Sequence, residues 1–97
     1  MTTKLSTIHK QLQQWLGNYI HEVKNENYDM AYIAIDFLHE VIYDNQSVLG
    51  FHAEYLLNTT VMLQHAVLPP VPKHSEIQYA VFEMYRLLNG LTRYRQQ

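Results

Sequence analysis

Apolar residues recur at intervals of three and four along almost the whole chain, and this spacing constrains the fold more than any other feature. In the first segment the row is Leu5, Ile8, Leu12, Trp15 and Tyr19, with Leu16, Ile20 and Val23 beside it. Such steps keep side chains on one side of a helix and demand a partner for that side. Lys4, Lys10, Gln11, Gln14, Asn18 and Lys24 fall mostly on the opposite side. Gly17 either lowers helix propensity by about 1 kcal/mol or marks where another helix comes close. The polar run Lys24-Asn25-Glu26-Asn27 reads as a loop.

Asn27 or Asp29 can cap a second helix, because short polar side chains satisfy the free amides of a first turn. Met30, Ile33, Phe37 and Val41 form one row there, and Ala34, Leu38 and Ile42 an adjoining one. Asp36, His39, Glu40 and Tyr43 supply the polar strip. A helix apolar nearly all round is expected to be the central one of a bundle. After the turn Asp44-Asn45-Gln46-Ser47, a third helix is expected from Val48 to Val67, with Leu49, Ala53, Leu56, Leu63 and Val67 on one row. Phe51, Tyr55, Met62 and Ala66 widen that row, and the β-branched Thr59-Thr60-Val61 lowers propensity within it.

No helix crosses Leu68-Pro69-Pro70-Val71-Pro72, since proline removes an amide donor and clashes with the preceding turn. Ser75-Glu76-Ile77-Gln78 fits a capping box and opens a fourth helix. Its seam is Ile77, Val81, Met84, Leu88 and Leu91, flanked by Ala80 and Leu87. Arg86, Arg93 and Arg95 lie toward its end, where cations favour the negative pole of the helix. Four helices, at about 4–24, 29–44, 48–67 and 76–95, predict one all-α domain over residues 1–97, an antiparallel up-down four-helix bundle.

Composition narrows the function. Ninety-seven residues, 47% apolar and 16% charged, suit one globular domain and not a disordered chain. A net charge of -2 argues against a nucleic-acid surface, and the lack of cysteine excludes disulfides and thiol chemistry. No apolar run approaches the ~20 residues of a membrane span. The start, MTTKLSTIHKQLQQW, lacks a signal-peptide core, which leads us to expect a cytoplasmic chain.

Six histidines invite a metal reading, and His21-Glu22 and His39-Glu40 place carboxylates beside two of them. Helical ligand pairs need spacings of three or four, however, and neighbours in sequence point about 100° apart. His39-Glu40-Val41-Ile42-Tyr43 begins like a zinc-protease helix but has Tyr43 in place of the second histidine. No metal site and no cofactor is expected. The recurrence of His-Glu-Val at 21–23 and 39–41 reads as chance and shared amphipathic pattern, with a duplicated helical hairpin as the alternative. Asp36 and Glu40 share a helix face and could form an acid-base pair, but a solvated strip explains them as well. No enzyme is expected.

Charge is uneven along the chain. Residues 22–54 carry seven acids and one lysine, whereas residues 1–21 and 73–97 are each +2. Either these regions complement one another within the bundle, or the acidic face or the Arg93-Tyr94-Arg95 tail meets a partner. The tyrosines at 28, 32, 43, 55, 79, 85 and 94 exceed what a small core needs, and tyrosine suits contact surfaces. Tyr79, Phe82 and Tyr85 lie beside the core row of the fourth helix, either inside the bundle or as an exposed docking or dimer strip.

The second half, from Gly50 to Arg95, has a further pattern. A helix rich in Leu, Tyr and Thr leads through a loop to a Ser-capped helix that ends Leu87-Leu88-Asn89-Gly90-Leu91-Thr92-Arg93-Tyr94. With the cysteine-free four-helix layout, this resembles the immunity proteins of class IIa (pediocin-like) bacteriocins. The resemblance implies a protein that stays inside a bacteriocin producer. There it would block killing through the membrane receptor, the mannose phosphotransferase system, with the C-terminal half setting which bacteriocin is resisted. The matching residues include Tyr79, Tyr85, Arg93 and Tyr94, and Phe82 and Arg95 complete the candidate partner-binding set. The alternative is a small helical adaptor or regulator that acts as a homodimer.

Overall fold

The computed structural model describes residues 5–95, with side chains described as far as Leu91. Every element in it is helical: α1 (Leu5–Lys24), α2 (Tyr28–Asp44), α3 (Gln46–Leu49), α4 (His52–Ala66) and α5 (His74–Arg95). The all-α class follows from the three-and-four spacing. The long helices pack α1 on α2, α2 on α4, α4 on α5 and α5 back on α1. Side-chain bonds fix how they align. His9 near the start of α1 donates Nε2–H to the Leu88 carbonyl near the end of α5, at 3.0 Å. Gln64 late in α4 donates to the Tyr32 carbonyl early in α2, at 3.3 Å.

The core takes one row from each long helix. α1 buries Ile8, Leu12, Leu16 and Tyr19, and α2 buries Ala31, Ala34, Ile35, Leu38 and Ile42. α4 contributes Ala53, Leu56, Leu63 and Ala66, and α5 contributes Ile77, Ala80, Met84, Leu88 and Leu91. Thr59 and Thr60 are buried as well, and their hydroxyls are satisfied within α4. Thr59 donates to the Tyr55 carbonyl at 2.9 Å and Thr60 to the Leu57 carbonyl at 2.6 Å. With its proton committed, Thr60 Oγ1 is left to accept from His39 Nδ1 at 3.1 Å, which ties α2 to α4.

Two turns depart from the sequence reading. The expected third helix, 48–67, is two: α3 ends at Leu49, and Gly50 adopts φ 63°, ψ -139° before α4 begins. That backbone conformation is open almost only to glycine, so the chain bends there although the apolar row from Leu49 to Ala53 runs on through it. α5 begins at His74, two residues before the expected start at 76, so Ser75 lies within its first turn and not at its cap. Between α1 and α2 the amide of Asn27 bonds the Glu22 carbonyl at 2.8 Å and that of Glu26 the Val23 carbonyl at 3.0 Å. This pair of bonds closes a helix around a left-handed residue, and Glu26, at φ 59°, occupies the place usually given to glycine. The Pro69–Pro70 peptide bond in the α4–α5 connection is cis.

Gly17 is not a site of close approach. A Cβ added there meets nothing within 4 Å.

Candidate functional site

Tyr79, Phe82 and Tyr85 follow one another at intervals of three on α5, so at about 100° per residue they wind across the side opposite the core row. All three are exposed, with 60%, 66% and 43% of their surface open to solvent. The strip is therefore a surface feature and not part of the core. Each of its ends borders a depression. On one side Tyr79, Val61, Met62, His65, Ser75 and Glu76 line a groove of about 370 Å³ between α4 and α5. On the other, Phe82 and Tyr85 join Ile20, Val23, Ile77 and Val81 around a groove of about 450 Å³ between α1 and α5.

The local sequence explains this arrangement. α5 places its smallest core residue, Ala80, between the long seam residues Ile77 and Met84, and all three are buried. Val81, expected in the seam, is displaced to half burial at the groove wall. Polar neighbours of the strip are held within the helix. Arg86 forms an ion pair with Glu83, and this hydrogen bond holds the Glu83 carboxyl below its ordinary value and raises the Arg86 guanidinium. The strip is thus flanked by a charge pair of zero net charge.

Of the other expected partner-binding residues, the side chains of Arg93, Tyr94 and Arg95 lie outside the described residues. The helical backbone of α5 does continue to Arg95.

The remaining chemistry-bearing groups are dispersed. Among the described residues no three of His, Asp and Glu stand together in a way that could hold a metal ion. The histidines instead work locally. His21 and Asn25 bond across one turn at 3.1 Å, His74 meets the edge of Tyr28 at 6.3 Å, and His52 stacks on Phe51 at 4.3 Å. Asp36 and Glu40 are both exposed on α2, and Asp36 Oδ1 accepts from Gln64 Nε2 at 2.6 Å. Among the described residues no helix is long and apolar enough to cross a membrane.

One surface was not anticipated. α2 reads as the central helix, with its degree of enclosure open, and Met30, Ile33 and Phe37 leave 44%, 42% and 45% of their surface exposed. Phe37 is covered on one side by Trp15 of α1, stacked at 4.7 Å between ring centroids and 13° between planes. The sequence showed two apolar rows on this helix. It gave no sign of which one would face outward, because that depends on where α1 and α4 come to rest.

No family model, curated protein or solved structure matches the chain.

Proposed function

We propose that this is a non-enzymatic cytoplasmic binding protein, most concretely an immunity protein of the class IIa bacteriocin type. In this reading the four long helices form an antiparallel up-down bundle whose last helix is the contact element. The observation that carries it is the exposed aromatic strip Tyr79, Phe82 and Tyr85 on α5. An apolar strip with a groove on either side suits a protein partner: rings enter pockets, and the tyrosine hydroxyls keep partners at the rim. The partner would be a membrane receptor complex, met at its cytoplasmic side and masked against the bacteriocin. Arg93, Tyr94 and Arg95 would extend the contact beyond the strip.

A protection assay tests this. The full chain is produced in a sensitive Gram-positive host, which is then challenged with a panel of pediocin-like bacteriocins. Survival against one or two of them, lost when Tyr79 and Phe82 are replaced by Ala, is the expected outcome. Uniform killing by the whole panel, with soluble and abundant protein, would turn the reading against immunity.

The same strip supports a second reading, a homodimeric adaptor in which two copies cover each other's α5. Light scattering separates the two, because the adaptor predicts twice the mass of the chain and the immunity reading a monomer.

A further inference from the structure

We propose that the outer face of α2 is a second docking site, and that its occupant is a basic amphipathic helix of a protein partner. This face is separate from the strip on α5, and the inference does not depend on the immunity reading.

The face has an apolar lane and an acidic flank. Met30, Ile33 and Phe37, at steps of three and four, make a lane on one helix side, and Trp15 of α1 extends it. Asp29, Asp36 and Glu40, at steps of seven and four, make a second row about 60–100° round the helix from the lane. The orientation is set by neighbours: Phe37 stacks on α1, whereas Asp36 accepts a bond from Gln64 of α4. The apolar lane thus lies toward α1 and the acidic row toward α4.

Charge decides what can lie there. Residues 22–54 hold seven carboxylates and one lysine. Among the described residues the ion pair is Arg86 with Glu83 on α5, and Asp29, Glu40 and Asp44 have no cationic partner. A second copy laid antiparallel, α2 on α2, would bring acid row beside acid row, and an anionic lipid or nucleic-acid surface would be repelled in the same way. A helix with apolar residues at i, i+3 or i+4 and i+7 fills the lane. Its Lys or Arg side chains, on the adjoining side, then lie over the three carboxylates at the rim of the contact, where pairing sets register and encounter rate.

Trp15, the chain's single tryptophan, reports on the site from within it. The probe is a synthetic Leu/Lys amphipathic helix of about 18 residues, or five turns, free of tryptophan. It is titrated into the full-length protein at low ionic strength, with Trp15 emission and the anisotropy of the labelled peptide as readouts. We expect saturable one-to-one binding with a blue shift of Trp15. A Leu/Glu peptide of the same pattern, and a Leu/Lys peptide of scrambled order, should bind at least about tenfold more weakly. The triple variant Asp29→Asn, Asp36→Asn, Glu40→Gln should lose about tenfold in affinity with its circular dichroism unchanged, and Ile33→Ser should do the same from the apolar side. The Tyr79→Ala, Phe82→Ala variant should bind as the wild type does. Absence of saturable binding would overturn the proposal, as would equal binding by the triple variant or by the scrambled peptide. A concentration-dependent dimer that shifts Trp15 without peptide would assign the face to a second copy instead.

Discussion

Tyr19 sits wholly inside the protein, and its hydroxyl donates to the Leu63 carbonyl of α4 at 2.8 Å. The last four carbonyls of an α-helix have no partner within it. In α4 those of Gln64, His65 and Ala66 take the amides of Val67, Leu68 and Lys73, and that of Leu63 takes the phenol. Replacing Tyr19 by Phe keeps the ring and strands a buried carbonyl, so it should cost about 1–2 kcal/mol in a denaturant titration at neutral pH. Burial also raises the pKa of this phenol. The folded protein therefore holds the proton more tightly than the unfolded chain does. The associated stability is complete below the unfolded value of about 10 and is lost as pH rises above it. The gap between wild type and Tyr19→Phe should accordingly narrow in alkali. Parallel declines for both proteins would show that Tyr19 is not the group responsible.

At the scale of elements, the number and place of the long helices could be read from the spacing of Leu, Ile and Val, because the core row of each is nearly continuous. The break between α3 and α4 could not. Leu49, Ala53 and Leu56 keep helical steps across Gly50, and both sides of the break are buried, so the pattern carries no mark of it. What ends α3 is a backbone conformation, and a sequence row does not record one. Gly50→Ala puts a side chain on a backbone at φ 63°, ψ -139°. No clash with neighbouring atoms is involved, since an added Cβ meets nothing within 4 Å. The cost is therefore conformational, about 1–3 kcal/mol, visible as a lower Tm. An unchanged Tm would mean that α3 and α4 can run on as the single helix 48–67. The candidate strip was legible to a similar degree. Its position on α5 followed from spacing, but spacing left it either inside the bundle or exposed, and the packed helices leave all three rings exposed.

The whole molecule is a rod of 44 × 21 × 19 Å. Its cross-section is about two helix diameters on each side, so every long helix presents one face inward and one outward. A polar outward face keeps such a rod monomeric; here those of α2, α4 and α5 carry exposed large apolar side chains. Their energetic character distinguishes surface from core. Truncating a buried aromatic to Ala typically costs about 3–5 kcal/mol, because transfer and cavity terms add. Tyr79 and Tyr85 leave 60% and 43% of their surface in water, so little of that cost applies to them. The double variant Tyr79→Ala, Tyr85→Ala should therefore unfold at nearly the same denaturant concentration as the wild type, within about 1 kcal/mol. If the strip also closes a dimer, stability will depend on protein concentration in the wild type, and the variant will lose that dependence. A loss of several kcal/mol at every concentration would instead make the two tyrosines structural and remove α5 as a contact surface.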